Sequence, residues 1–520
     1  MDAQINIVHS LCWQDIPQFF EDNLEFWCTE MHKYLVYTNP ALVADEANND
    51  EEGGPYSNLK SSICGVINLF MEKYEEDFAK YLNTFVEAVW NMLTTTGLER
   101  RFDTLVSSGI TFLTVVAKST HHNLFANEAI LTQICEKIIL PNMRLREDDE
   151  ELFEDSPSEY IQMDIEGSDS DTRRRTACEL VKGLCKNYEE QVTQAFSKYV
   201  QALLQEHAQN PAANWKAKDA AIYLVIALAV KGSTYALGTT STNKFVDILS
   251  FFATNILPEL QEADVNNKAI LKADAIKFTQ TFRNQLPKEG FATILPLMVN
   301  HLASKEYVVR SYAASCIERM LASKEADATG KMVERYNRAD VQPFLRNLIV
   351  GLFGALVVGM GGSDKWENEY VMKAITRVSG VAQADMAPYL VDVIGQLNQV
   401  LAEVCKNPRN PSFNHYMFET VASLIKFSCE ADPSLTLTLT LTLTLIGGRS
   451  EPRRPVRVGR DAAVPGGPGQ GRRGVCPVRV SDLCADHLVA TSAAPRHVQC
   501  SVPGYPERRA LEAIRQRPGP

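Results

Sequence analysis

The 12 cysteines of this 520-residue chain include no Cys-x-x-Cys pair, and no Asn-x-Ser/Thr acceptor occurs. Cys135, Cys178, Cys185 and Cys316 fall inside apolar helical stretches, so they read as reduced core thiols of a cytosolic or nuclear protein. Long hydrophobic runs are missing too. The longest uncharged run before the C-terminal tail, residues 347–363, is 17 residues and broken by glycine, too short for a membrane span. The opening Met1-Asp2-Ala3-Gln4 has neither the basic nor the apolar region of a signal peptide. A soluble intracellular chain without membrane insertion is expected. Basic charge is also short, with 52 Lys and Arg against 64 Asp and Glu, a net −12. That excludes a general nucleic-acid binder, which needs a basic footprint to displace phosphate counterions. It suits a partner that carries a basic patch.

Catalytic signatures are absent as well. Neither His-Glu-x-x-His nor Gly-x-Ser-x-Gly occurs. The Gly359-Met-Gly-Gly-Ser-Asp-Lys365 string resembles a phosphate loop only in composition and follows no strand pattern. His121-His122 has no third ligand at metal spacing and reads as surface or capping histidine. Cys178 and Cys185 lie two turns apart on one helix face, where core packing is the default. No catalytic residue, cofactor or metal site is assigned, and the chain reads as a binding protein.

What the sequence does contain is helix. Residues 15–430 are amphipathic segments with apolar residues at the 3.6 period, as in Phe78, Leu82, Phe85, Val86, Val89 and Leu93. The segments repeat. Ile139-Leu140-Pro141, Ile256-Leu257-Pro258 and Ile294-Leu295-Pro296 mark three first helices, each bent where proline removes a backbone donor. Several second helices open with a basic residue, alanine at +3 and an apolar residue at +6: Arg174/Ala177/Leu180, Lys218/Ala221/Leu224 and Arg310/Ala313/Cys316. First helices begin near residues 15, 77, 128, 190, 242, 287, 341 and 386, about eight pairs at spacings of 45 to 62. The expected fold is all-α, a HEAT-repeat (armadillo-type) right-handed superhelical solenoid over residues 1–433. An irregular helical bundle is the plainer alternative.

Two acidic segments interrupt the repeats. One covers residues 45–52. The other, 147–171, lies between the helices of one pair, within an insertion of residues 146–172, and holds 12 acids and no basic residue before Arg173, Arg174 and Arg175. It reads either as a solvated loop or as a contact surface for a basic partner. Tyr160, Ile161 and Ile165 within it suggest that part of it docks.

Several strings resemble the exportins of the importin-beta (karyopherin) superfamily. They are Leu11-Cys-Trp-Gln-Asp-Ile-Pro-Gln-Phe-Phe-Glu-Asp-Asn23, Glu159-Tyr-Ile, Asp164-Ile-Glu-Gly-Ser-Asp169, Asp171-Thr-Arg-Arg-Arg175, Asn214-Trp-Lys, Lys218-Asp-Ala-Ala-Ile-Tyr-Leu224, Leu271-Lys-Ala-Asp274, Phe282-Arg-Asn-Gln285 and Phe413-Asn-His-Tyr-Met-Phe-Glu419. The resemblance spans roughly residues 5–433. It implies a nuclear transport receptor that shuttles between nucleus and cytoplasm, touches the nuclear pore, and exports importin-alpha together with Ran in its GTP form. A HEAT scaffold or regulatory subunit of another complex is the alternative. In the family an insertion within a middle repeat contacts Ran, and residues 147–171 match it in position and in the Glu-Gly-Ser-Asp core. That makes Glu147, Asp148, Asp149, Glu150, Glu151, Glu166, Asp169 and Asp171 the candidate Ran contacts. The family has further repeats on both sides of this stretch, so the chain alone is expected not to be a competent exporter and to bind Ran-GTP and importin-alpha at most weakly.

From residue 434 the character changes. Leucine and threonine alternate strictly over 435–445, and residues 447–520 carry 13 Arg, no Lys and six acids, a net +7 against −19 for the rest. They also hold 10 of the 24 prolines and 10 of the 28 glycines. This segment, 434–520, reads as a disordered tail outside the fold. Its pattern is what a tandem DNA repeat followed by out-of-frame translation would encode; a native basic tail is the alternative.

Overall fold

The computed structural model describes residues 2–46, 53–166, 172–234, 237–357, 367–407 and 409–431. Asp169, Asp171, residues 359–365 and everything from 432 onward, including the Leu/Thr run, lie outside the described residues.

The described residues are helical almost throughout, as the periodicity predicts. One row consists of second helices: Pro55–Lys73, Asp103–Lys118, the first half of Arg173–Gln209, Trp215–Ala229, Ala269–Thr281, Tyr307–Leu321, Glu369–Ala382 and Pro411–Ala431. Each packs on the next, and Asp2–Cys12 extends the row by packing on Pro55–Lys73. The first helices form the other row, among them Leu24–Val36, Glu75–Thr95, Phe291–His301, Leu345–Val357 and Leu390–Val404. Arg173–Gln209 serves both rows. Tyr188 breaks it with φ −132° and ψ 43°, so a second helix runs directly into the next first helix.

The amphipathic stripes bury as their period requires. Phe78, Leu82, Phe85, Val89 and Leu93 are all at most 5% exposed, and the Phe78 and Phe85 rings lie 5.4 Å apart. Val86 sits at the edge of the stripe, half-buried. Full burial of one such side chain contributes about 1.5–3 kcal/mol. In the second helices Ala177, Ala221 and Ala313 are wholly buried, and their small side chains let neighbouring backbones approach. Caps fix where helices start: Asn127 accepts from Ala129 N, Thr172 from Arg175 N, and Asn368 from Tyr370 N and Val371 N.

The prolines of the Ile-Leu-Pro motif behave in two ways. Pro141 and Pro258 each follow a five-residue π-turn, Cys135–Ile139 and Phe252–Ile256, after which the α-helix resumes as Leu140–Met143 and Leu257–Gln261. The wider turn absorbs the missing donor without ending the helix. Pro296 instead sits inside Phe291–His301.

Two short antiparallel hairpins join helices, and apolar alternation gives no sign of them. Val230–Thr234 pairs with Gly238–Thr242, and Lys324–Ala326 with Met332–Glu334. Gly238 has φ +67°, and a Cβ there would lie 2.5 Å from an Arg283 guanidinium nitrogen, so glycine is required on both counts.

Candidate functional site: the acidic insertion and its seat

The insertion is tied at its neck by one carboxylate. Asp103, at the start of its second helix, receives both guanidinium nitrogens of Arg146 at 2.8 Å and Nε of Arg173 at 2.6 Å. Arg173, only 3% exposed, also donates to the carbonyls of Gly97 and Glu99. Entry and exit of the inserted chain are thus pinned to the preceding repeat. Charge-assisted and bidentate bonds of this kind are the strong ones.

Between those points the chain is folded. Glu147–Asp155 is a helix whose start is capped by Asp149, which accepts from Arg146 N at 2.9 Å. Four acids in its first turn face the positive end of the helix dipole. A short helix, Pro157–Ile161, follows and packs on Tyr307–Leu321, and a π-turn, Gln162–Glu166, completes the described part. Phe153 and Tyr160 are buried with their rings edge to face at 5.1 Å, and Ile161 is wholly buried. The solvated-loop reading is therefore corrected for Phe153, Tyr160 and Ile161, whose buried side chains anchor the segment to the repeats.

Asp164 completes the anchor. Its carboxylate accepts from Lys277 Nζ at 2.5 Å, from Tyr223 Oη at 2.6 Å and from Tyr312 Oη. Those three donors come from three successive second helices, so one side chain of the insertion spans three repeats. Burial alone would raise this carboxyl; the Lys277 ammonium and the three hydrogen bonds outweigh it and hold the group below the usual carboxylate range. Directly beneath, the Arg174 guanidinium stacks 3.7 Å from the Tyr223 ring centre, donates to Met143 O at 2.9 Å, and pairs with Asp219. Asp274 lies beside Asp219. Where a basic residue opens a second helix, it ties that helix to a neighbouring segment. Arg174 reaches Asp219, Lys218 reaches Glu259 at 2.6 Å, and Arg310 reaches the carbonyls of Ser304 and Lys305.

The sequence-predicted contact residues divide. Asp149 is committed to the cap and Glu150 pairs with Lys216. Glu147 and Glu151 are exposed and Asp148 is half-buried. Glu166 ends the π-turn. Asp169 and Asp171 fall outside the described residues. Glu154, Asp155 and Glu159 are exposed on the same insertion and extend the outward acidic face, although sequence reasoning left them out. It also missed Asp164, Asp219 and Asp274. The available signal was the small-residue setting of the last two, in Lys218-Asp219-Ala-Ala and Ala273-Asp274-Ala275, where a charge has no solvated face to occupy.

The remaining candidates resolve simply. His122 Nδ1 meets Tyr188 Oη at 2.7 Å, and His121 lies 3.7 Å from Glu75. Burial pushes the Cys185 and Cys316 thiols up to about 12, so neither is a reactive thiolate. Among the described residues no cluster of His, Cys, Asp or Glu could hold a metal ion, and no helix is long and apolar enough to cross a membrane. A cleft of about 200 Å³ lined by Glu318, Arg319, Lys373 and Tyr416 is below the size usual for a ligand pocket.

Two adjoining family models cover the helical part of the chain: Cse1 over residues 1–317, and the CAS/CSE protein C-terminus over 318–445. The chain belongs to the Cse1 exportin family. The second match runs through the Leu/Thr segment, past the border read at 433. Exportin-2 of Xenopus laevis and exportin-2 of Homo sapiens are each 47% identical over 429 residues, covering 82% of this chain and 43% of the relative. The chain thus spans under half the length of these Cse1-family relatives. The solved structure of the exportin Cse1 in its cargo-free, cytoplasmic state matches with TM-score 0.73 and 34% identity, over 86% of this chain and 47% of that one. A bidirectional nuclear transport receptor of S. cerevisiae, Lph2, matches at TM-score 0.60 and 12% identity over 86% of this chain and 45% of its own, a likeness of fold alone.

Proposed function

We propose that this chain forms part of the wall of a nuclear export receptor and works by binding, not by catalysis. In this reading the whole receptor carries importin-alpha from nucleus to cytoplasm with Ran in its GTP form, and so supports protein import. It shuttles between the two compartments, passes the nuclear pore, and uses no cofactor or nucleic acid. The observation that carries the proposal is the seated insertion in a chain of the Cse1 family. Glu147, Asp148, Glu151, Glu154, Asp155 and Glu159 stand on a platform that Asp103 and Asp164 hold in place. A pre-organised acidic face costs little ordering on binding and steers a basic surface toward it. Glu166, Asp169 and Asp171, which follow in sequence, belong to the proposed Ran contact as well.

The test is kinetic. Changing Glu147, Glu151, Glu154 and Glu159 to glutamine in a full-length receptor should slow Ran-GTP association several-fold at low salt. The difference should fade as ionic strength rises and the Debye length shortens. An unchanged association rate at low salt would return this face to ordinary solvation.

A further inference from the structure

We propose that Asp274 keeps its proton at neutral pH and donates it to Asp219, and that this proton is part of what seats the acidic insertion. The two carboxyls come from consecutive second helices, Trp215–Ala229 and Ala269–Thr281, and are 0% and 1% exposed. The groups that face them can be named element by element. Arg174 comes from the preceding second helix, Tyr223 from the helix of Asp219, and Lys277 from the helix of Asp274. Tyr312 comes from Tyr307–Leu321, and Tyr160 and Asp164 from the insertion. Arg310, also on Tyr307–Leu321, spends its Nη1 on the carbonyls of Ser304 and Lys305.

Charge does not balance in this cluster if every acid is ionised. Two cations, Arg174 and Lys277, face three carboxyls. Lys277 serves Asp164 and Arg174 serves Asp219, which leaves Asp274 with no cation of its own. Hydrogen bonding tells the same story. Asp219 Oδ1 and Asp274 Oδ2 are both buried without a donor, although the two carboxyls stand within hydrogen-bonding reach of each other. A buried acceptor without a donor is costly, and an uncompensated buried charge more so. A proton kept on Asp274 and donated to Asp219 removes both defects, because a protonated carboxyl donates. Burial, then the neighbouring Asp219 charge, push the Asp274 carboxyl well above the usual range against the pull of Arg174.

The insertion is coupled to this proton through Tyr223. Its ring carries Arg174 at 3.7 Å and Lys277 at 4.3 Å, and its hydroxyl donates to Asp164. Loss of the proton adds a third negative charge to a cluster with two cations, and the added charge repels Asp164. Lifting the insertion admits water and lets Asp274 ionise. The seated form therefore binds the proton more tightly than the lifted form. Opening should rise by up to about tenfold per pH unit, from the ordinary carboxyl range up to the raised value of Asp274, and level off above it.

Two measurements on the full chain decide this. In infrared spectra taken in D2O at neutral pD, exposed carboxyls are ionised and a buried protonated one keeps its C=O stretch. One such band is expected in the wild type and none in Asp274→Asn. Absence of the band from the wild type overturns the proposal, and that result does not depend on how the variant folds. Hydrogen exchange then reads the seat. After correction for intrinsic rates, opening of 157–166 should increase with pH in the wild type and stay flat in Asp274→Asn, with Pro55–Lys73 unaffected in both. A pH-independent opening in the wild type would sink the coupling.

Discussion

Two stretches of the same helical row are joined by different physics. In Pro55–Lys73 and Asp103–Lys118, which pack on each other, the buried side chains include Ile63, Val66, Ile67, Phe70, Ile110, Phe112, Leu113 and Val116, all at most 1% exposed. Gly109 lets the Met92 and Leu93 side chains come close, and polar contact is limited to small groups such as Ser61 and Ser108, whose hydroxyls meet at 3.0 Å. From Arg173 to Leu321 the row instead encloses Arg174, Asp219, Asp274, Lys277 and the incoming Asp164. Apolar burial is non-directional and tolerates sliding, whereas a buried polar network specifies one register and penalises any half-made state. The second kind of joint is found where a foreign segment must be received in one position.

The sharpest way to break the apolar joint is Phe112→Ala. Phe112 is wholly buried, and its loss should cost about 3–5 kcal/mol of global stability, seen as a lower denaturant midpoint. In the polar joint Lys277→Ala leaves the half-buried Asp164 carboxylate with its two tyrosine donors and no cation. The two side chains keep 17% and 16% exposure, so the cost should fall below about 3 kcal/mol, the figure for a fully buried pair broken from one side. The damage should be local, so that protease nicks 157–166 sooner while the helix Pro55–Lys73 keeps its exchange protection.

Acid and alkali should also separate the two joints. The Asp164 carboxyl is held below its ordinary value, so its contribution is present above the ordinary carboxylate range and lost as pH falls through the lowered value. Asp274 is raised, so its contribution is complete below that range and lost as pH rises. Exchange of 157–166 should therefore be slowest between these limits, while Pro55–Lys73 should show no such optimum. The smallest effect belongs to the hydroxyl pair. Replacing both Ser61 and Ser108 by alanine removes donor and acceptor together, which should change stability by less than about 1 kcal/mol in equilibrium unfolding. A larger loss would mean that the apolar joint too depends on directional bonds.

Much of the fold was legible. A 3.6-residue period in Glu75–Thr95 identifies both the helix and its buried face, because one face of any surface helix must leave water. The Ile-Leu-Pro and basic-Ala motifs locate first and second helices for the same local reason. The candidate site was legible only in part. Tyr160 and Ile161 within an acidic run show that something docks, but Asp164 reads there as one more solvated acid. Its partners Lys277 and Tyr312 are 113 and 148 residues away, and no periodicity links positions so far apart. The hairpins escape periodicity because one has Gly- and Thr-rich strands and the other has strands of only three residues, so neither shows an alternating apolar face.

What the sequence by itself determined is therefore whatever is set within a few turns of one chain segment. That covers the helices and their caps, the repeat, the acidic character of the insertion, and the family that those strings share. Tertiary structure decided which charges face water and which are enclosed. Glu147 and Glu151 remain outside, Asp149 and Glu150 turn inward to Arg146 and Lys216, Asp164 is half-buried against its three donors, and Asp219 and Asp274 lose water altogether. The physical reason is range. A helix forms from bonds four residues apart, whereas the cost of a buried carboxylate depends on every group brought against it, and only the stacked repeats bring them together.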